Sequence, residues 1–97
     1  MSVGIVRVQL RLAENHSLKG KRQVVKSITS RVRNRFNVSI AEMDDQDQWQ
    51  VATLGIACIA NDRQQVNRVL SHVVDFIAGS RMEAEMVDYE LEILPGP

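Results

Sequence analysis

The sequence predicts an α+β domain in which four strands and two helices follow one another in the order βαββαβ. Two segments, at about residues 3–12 and 87–93, alternate apolar and polar residues with the period of two that is typical of half-buried strands, and the stretches 36–43 and 49–60 are also predicted as strands. Two longer segments repeat apolar residues with the period of about 3.6 that is typical of amphipathic helices. The 97 residues, 44% hydrophobic and 25% charged, have the size and composition of a single globular domain spanning 1–97.

The first strand and the first helix are predicted at residues 3–12 and 18–35. In the strand, apolar and polar residues alternate: Val6, Val8, Leu10 and Leu12 with Arg7, Gln9 and Arg11. Ser17 is a suitable N-cap because its hydroxyl accepts from a free N–H of the first helical turn. One apolar arc of the helix is formed by Leu18, Val25, Ile28, Val32 and Phe36, with Val24 at its edge.

The middle of the chain predicts two strands joined by an acidic turn. Residues 36–43 form the shorter strand, and residues 49–60 form the longer one. The longer strand places Leu54, Ile56 and Cys58 on one face. Asp and Gln residues fill the stretch between the strands, and they are ordinary turn residues.

The second helix shows the clearest amphipathic pattern in the chain. Its apolar residues recur at offsets of 0, 3, 4, 7, 8 and 11: Val66, Val69, Leu70, Val73, Val74 and Ile77. Asp62 and Gln65 have the spacing of a capping box at its start, and Gly79 stands where a C-cap glycine is expected. A fourth strand follows, in which apolar residues alternate with acids over residues 87–93.

These elements favour the ferredoxin-like fold. Two βαβ units with right-handed crossovers, joined by a hairpin, give a four-stranded antiparallel sheet with two helices on one face. In this arrangement the first and third strands are central. The fourth strand is expected beside the first, and the second strand beside the third.

The formal net charge of zero hides an asymmetry along the chain. Residues 1–36 carry nine basic groups and one acid, a net of +8, whereas residues 37–97 carry three basic groups and eleven acids, a net of −8. Such an asymmetry indicates a charged patch inside a neutral total. A zero net charge therefore does not exclude a polyanionic partner.

Three stretches of the chain resemble the YlxP-like family of small bacterial proteins, which is catalogued as a domain of unknown function. They are SLKGKR at 17–22, RVRNRFNVSIAE at 31–42 and DQDQWQ at 45–50. The resemblance covers nearly the whole chain, although Gly20 departs from the acidic residue expected there. It implies a ferredoxin-like fold and no established catalytic activity. It also implies a translation-linked accessory role, because the family's genes commonly sit beside genes of translation initiation and ribosome maturation.

The first helix is the main candidate for a binding surface. It has seven basic residues and no acid: Lys19, Lys21, Arg22, Lys26, Arg31, Arg33 and Arg35. Cations without counter-charges are favoured by a phosphate backbone, through charge attraction and counterion release. We therefore expect contacts with structured RNA or a ribosomal particle, and we predict no DNA partner. The alternatives are a solvated helix face and a face that meets the protein's own acids.

The seven cations do not share one face of the predicted helix. One stripe, within about 60° on a helical wheel, consists of Lys19, Arg22, Lys26 and Arg33. Lys21 and Arg35 fall toward the apolar side. Their stems are expected to lie along the core edge while their charged heads reach water.

The sheet face away from the helices is not expected to stack nucleobases. Its central positions carry arginines, Gln9 and small residues, whereas an RNA-recognition motif needs aromatics there. Arg7 and Arg11 are expected to pair across the sheet with acids of the fourth strand, Asp88, Glu90 and Glu92. RNA contacts are therefore predicted to the backbone, through the first helix.

Two further surfaces suggest protein partners. The open sheet face, with Thr53, Gly55, Ala57, Ala41, Ile5 and Ile59, is flat enough to pack against a second copy in a homodimer. The turn residues Asp45, Asp47 and Trp49 are candidate partner-binding residues, although core or edge packing is the commoner role of a lone Trp. A protein-interaction module that docks an acidic partner on the basic helix is thus the alternative function.

No motif predicts catalysis, a metal or a cofactor. The acidic turn lacks the ligand spacing of a calcium loop, and His16 and His72 have no metal-binding neighbours. Cys58 is expected to be a buried, inert thiol. No apolar run is long enough for a membrane span, and no signal peptide is evident, so a cytoplasmic, non-enzymatic protein is expected.

Overall fold

The structure, a computed structural model, describes residues 1–44, 47–80 and 83–97. The elements are β1 Ser2–Arg11, α1 Leu18–Arg35, β2 Ser39–Met43, β3 Val51–Ala60, α2 Arg63–Gly79 and β4 Glu85–Pro95. The predicted βαββαβ order is confirmed, and the bounds of α1 agree with the prediction.

The four strands form one antiparallel sheet in the order β2-β3-β1-β4. The central strands are β1 and β3, as predicted for a ferredoxin-like fold. Both helices lie on the same face, where α2 packs against β1, β3 and β4, and α1 packs against β2 and α2. The strand order makes β2 an edge strand, and α1 lies beside it.

Alternation along the strands sends every second side chain into the core between sheet and helices. The buried core residues of the strands and of the first loop are Val6, Val8, Leu10, Leu12, Ile40, Ala52, Leu54, Ile56 and Cys58. The buried apolar residues of the helices are Val25, Ile28, Val32, Val66, Leu70, Val73, Val74 and Ile77. The predicted apolar faces of β3 and α2 are therefore confirmed.

Gly4 allows α2 to lie close on β1. A Cβ at this position would stand 2.3 Å from Cγ1 of Val66 and 2.6 Å from Cδ1 of Leu70. Real Cβ atoms do not approach neighbours so closely, because interiors are already packed to crystal density. Only glycine fits here without a shift of these two α2 side chains.

The predicted N-caps of both helices are confirmed, but the predicted C-cap of α2 is not. Ser17 Oγ accepts from Gly20 N at 3.0 Å, and Asp62 Oδ1 accepts from Gln65 N at 2.9 Å. The prediction that Gly79 is a C-cap glycine is wrong: Gly79 is the last helical residue, and Ser80 is the C-cap. The Ser80 N–H bonds to the Ile77 carbonyl, which ends the helix with an extended residue that needs no positive φ.

Two predicted strands start too early. Phe36 is the C-cap of α1, and its N–H bonds to the Val32 carbonyl at 2.8 Å, so β2 begins only at Ser39. Trp49 and Gln50 are not in β3, because their carbonyls accept hydrogen bonds from the loop before α1. Alternation alone does not reveal these bonds.

Candidate nucleic-acid interface

The outer side of α1 carries a row of four cations, hereafter the basic stripe: Lys19, Arg22, Lys26 and Arg33. All four are exposed. The ion pairs among the described residues are Arg7–Asp44, Arg11–Glu85 and Lys21–Glu42. No carboxylate of the described residues therefore neutralises the basic stripe.

The basic stripe runs beside the edge of the sheet. Its last member, Arg33, donates from Nη2 to the carbonyl oxygen of Ile40 in β2, with a distance of 2.8 Å. At about 1.5 Å per residue, the helix advances roughly 21 Å between Lys19 and Arg33. Since one bond holds Arg33 against the edge strand, this guanidinium keeps a defined position and has further N–H groups to donate.

Lys21 lies inside the protein, so the prediction that its charged head reaches water is wrong. Its side chain is only 1% exposed, and its Nζ lies 3.1 Å from Oε2 of Glu42 and 2.6 Å from the Gln48 carbonyl oxygen. Glu42 is on the helix-facing side of β2, where α1 covers it. Lys21 is thus excluded from the phosphate-binding set and instead ties the β2–β3 loop to α1.

The other two cations of α1 lie away from the basic stripe. Arg35 stacks over the Phe76 ring of α2, with its Cζ 5.1 Å from the ring centroid. Phe76 also meets Phe36 edge to face at 5.7 Å, so Arg35 belongs to the seam between the helices. Arg31 is exposed, and at 100° per residue it points away from the stripe.

Arg7 has a different partner from the one expected. Its Nη2 lies 2.9 Å from Oδ2 of Asp44, which follows β2, and Glu90 is its register neighbour in β4. Asp44 reaches this face because its backbone turns with a φ of 46°. Arg11 pairs with an acid of β4, as expected. The partner is Glu85, at 3.6 Å, and not Asp88, Glu90 or Glu92.

The β2–β3 loop presents Trp49 to solvent. The indole side chain is 53% exposed, and Asp47 is exposed nearby in sequence. Trp49 is therefore not a core residue. The third predicted partner-binding residue, Asp45, lies outside the described residues.

The loop around Trp49 is tied to the loop before α1. Asn15 Nδ2 donates to the Trp49 carbonyl and, at 2.7 Å, to the Ser17 carbonyl. The Leu12 N–H donates to the Gln50 carbonyl at 2.9 Å. Gly20 leaves room for this arrangement, since a Cβ there would lie 2.2 Å from Asn15 Oδ1.

The open sheet face has a hollow of about 730 Å³ that the sequence did not reveal. Its floor is made by Ala41, Gly55 and Ala57, whose small side chains leave space between the taller Ile5 and Met43. Arg7, Glu90 and Glu92 line its rim. Small residues at register positions of the neighbouring strands β2 and β3 are the signal that could have predicted it.

The remaining candidates show no reactive arrangement. Burial raises the pKa of the Cys58 thiol, which keeps it protonated and a poor nucleophile. Within the described ranges, no group of three or more His, Cys, Asp or Glu side chains could hold a metal ion. Neither α1 nor α2 is long and apolar enough to cross a membrane.

Comparison with known proteins gives a family and a fold. A family model described as "Protein of unknown function (DUF503)" matches residues 3–91. "Uncharacterized protein YlxP" of Bacillus subtilis (strain 168) is 41% identical over 75 residues, which are 77% of this chain and 82% of that protein.

Two designed proteins are similar in structure. De novo designed protein Foldit4 has a TM-score of 0.53 at 14% identity, with all of both chains covered. De novo designed protein Ferredog-Diesel has a TM-score of 0.44 at 9% identity, with 96% of this chain and 84% of that chain covered. At this identity the likeness to Foldit4 bears on the fold alone.

Proposed function

Since the chain belongs to the family described as proteins of unknown function (DUF503), we propose its function from its surface. It is a non-enzymatic, translation-linked accessory protein that binds structured RNA through the phosphate backbone. The basic stripe on α1 is the contact surface. The observation that carries this proposal is a row of exposed cations that no acid of the described residues neutralises.

The acids of β4 lie on the side of the sheet away from the helices. Glu85, Asp88, Glu90 and Glu92 are register neighbours of β1 residues that point to the open face. Crowding like charges on one helix costs free energy at i,i+3 and i,i+4 spacings. A phosphate backbone removes this cost and releases bound counterions, which favours association.

The geometry favours recognition of backbone shape. The basic stripe is straight and about 21 Å long, so it can follow phosphates along one strand of a helical or folded RNA. Arg donors suit phosphate oxygens because their planar fork binds two oxygens at once. The central strands offer no aromatic side chains on the open face to stack bases.

A pair of matched variants tests the proposal. Arg22→Gln with Lys26→Gln removes two charges from the stripe, whereas Arg63→Gln with Arg68→Gln removes two exposed charges from α2. We expect the first variant to bind a structured RNA roughly tenfold more weakly at moderate salt, and the second to bind nearly as the unmodified protein does. Fluorescence anisotropy of a labelled RNA measures both, with a DNA duplex of the same sequence as competitor.

Equal losses in the two variants would contradict the proposal, since they would show that total charge matters rather than the stripe. Absence of RNA binding in the unmodified protein at low salt would contradict it more simply. A tighter complex with the DNA competitor would keep the phosphate contact but reject RNA as the partner.

A second candidate function, homodimerisation through the open sheet face, has one observation in its favour. Three branched aliphatic residues on that face are exposed: Ile5 at 43%, Ile59 at 62% and Leu94 at 44%. A second copy would cover them, as apolar patches on sheets commonly require. Sedimentation at low and high salt tests this, because a dimer held by apolar contacts persists at high salt. We expect Ile59→Lys to dissociate it.

A further inference from the structure

Trp49 combines exposure with a fixed backbone, which is unusual for a large apolar side chain in a loop. The indole is 53% exposed, and within the described residues no aromatic ring contacts it. Burying a tryptophan is worth more than burying most side chains, and Trp is enriched where partners bind. An exposed indole on an ordered loop therefore suits an external partner.

Three consecutive carbonyls fix the backbone on both sides of this indole. Lys21 Nζ donates to Gln48 O at 2.6 Å, Asn15 Nδ2 donates to Trp49 O, and Leu12 N donates to Gln50 O at 2.9 Å. The three donors come from the loop before α1 and from its first turn. Because the backbone is held before any partner arrives, little conformational entropy remains to be lost on binding.

The same bonds hold the Trp49 backbone beside the N-terminal end of α1. Asn15 belongs to the loop that leads into α1, and Lys21 belongs to the first turn of the helix. The basic stripe begins at this end of α1, with Lys19. Aromatic platforms beside basic grooves bind unpaired nucleobases, since every base has a π-face to stack on.

We propose that Trp49 stacks on an unpaired nucleobase of an RNA whose phosphates lie along the basic stripe. The proposal rests on the proposed function and narrows its substrate class to a folded RNA with a loop, bulge or frayed end. It adds one base contact, off the sheet, to the phosphate contacts of α1. A fully paired duplex would satisfy the cations and leave the indole without a partner.

The acids of the same loop determine how close a phosphate can come. Asp44 is paired with Arg7 at 2.9 Å on the open face, so its charge is largely compensated. Asp47 is exposed and lies two residues from Trp49. We expect Asp47→Asn to strengthen RNA binding about two- to threefold at low salt by removing repulsion, and to have no effect at high salt.

The indole reports on its own contact, because Trp49 is the one tryptophan in the chain. The experiment compares two RNAs with the same stem: a hairpin with an unpaired purine-rich loop and a blunt duplex with every base paired. We expect the hairpin to quench Trp49 emission and to bind about fivefold or more tightly than the duplex. The duplex is expected to bind with no change in emission.

Two substitutions separate stacking from mere bulk. Trp49→Phe keeps an aromatic face and should retain most of the preference for the hairpin, whereas Trp49→Leu should abolish it. Both substitutions are at the same exposed position, so circular dichroism should show that the two variants fold as the unmodified protein does. The salt dependence of binding should be the same in both, because the basic stripe is intact.

The outcomes that overturn the inference differ from those that overturn the proposed function. Salt-dependent binding that is equal for hairpin and duplex, with constant emission, rejects the nucleobase contact and leaves the phosphate contact standing. Absence of RNA binding rejects both. A shift of Trp49 emission on adding a purified protein partner, with none on adding either RNA, assigns the indole to protein docking and also rejects the inference.

Discussion

Helices α1 and α2 lie on the same face of the sheet, but they differ in how far packing within the protein explains their residues. In α2, Val66, Leu70, Val73, Val74 and Ile77 are buried, and few of its 17 residues are charged. In α1, seven of 18 residues are basic, and one of them, Lys21, is buried among the apolar side chains. Packing accounts for the apolar side of each helix, but it does not account for the exposed cations of α1.

The comparison shows how to separate residues that fold the protein from residues that the fold does not require. The buried side of α2 and the Lys21–Glu42 pair of α1 stabilise the structure through contacts within the chain. The basic stripe makes one such contact, from Arg33 to the β2 edge. Substitutions on the buried side of α2 should therefore lower the stability, whereas substitutions in the basic stripe should change RNA binding.

The largest loss of stability is expected from α2. Leu70 is fully buried, so Leu70→Ala removes apolar contacts and leaves a cavity, which costs about 4 kcal/mol in the free energy of unfolding. Urea denaturation measures this loss. The folded fraction should still bind RNA with unchanged affinity, and a parallel loss of affinity would mean that the helices are not separable.

A slightly smaller loss is expected from the buried cation of α1. Lys21→Met leaves Glu42 in a largely buried site without its 3.1 Å partner, which costs about 3 kcal/mol because the carboxylate is still 19% exposed. The double variant Lys21→Met with Glu42→Leu should recover much of this loss in urea denaturation. A single variant as stable as the unmodified protein would show that the pair does not hold the loop to α1.

Gly4→Ala tests how closely α2 is fitted to the sheet. The added methyl would meet Val66 and Leu70 at less than 3 Å, so we expect a destabilisation of about 2 kcal/mol from overpacking. Differential scanning calorimetry gives the change. Gly79→Ala is the matched control, since nothing lies within 4 Å of a Cβ there. Equal changes in stability for Gly4→Ala and Gly79→Ala would show that the loss comes from backbone conformation and not from contact with α2.

The smallest effect on stability is expected on the basic stripe. Lys26 is exposed and has no carboxylate partner among the described residues, so Lys26→Gln should change the free energy of unfolding by less than about 0.5 kcal/mol. Thermal unfolding at low salt is the measurement. A clear loss of stability would mean that the stripe serves the fold.

Periodicity was sufficient to predict the fold, because it reports directly which side chains face the core. The order of elements, the sheet neighbours, the buried faces of β3 and α2 and the family resemblance are all confirmed. The starts of β2 and β3 were missed, because Phe36 still bonds to the last turn of α1 and because the loop before α1 donates to the carbonyls of Trp49 and Gln50. Alternation of apolar and polar residues does not reveal these bonds.

The candidate site could be predicted only in part for the same reason. Lys21 lies at the centre of the apolar arc on a helical wheel, and Glu42 shares the helix-facing side of β2 with Ile40. Those two positions were a signal of a buried pair, but only the tertiary structure brings them together. The contact between Arg7 and Asp44 likewise depends on how the β2–β3 loop folds over the sheet.

The salt dependence of RNA binding tests the central proposal most directly. The measurement is the slope of log Kd against log salt for the unmodified protein and for a variant in which Lys19, Arg22, Lys26 and Arg33 are all replaced by Gln. If these four cations contact phosphates, the slope should fall by about 2.8 to 3.6, because each neutralised phosphate contributes about 0.7 to 0.9. Equal slopes for the two proteins would contradict the assignment of the basic stripe as the phosphate-binding surface.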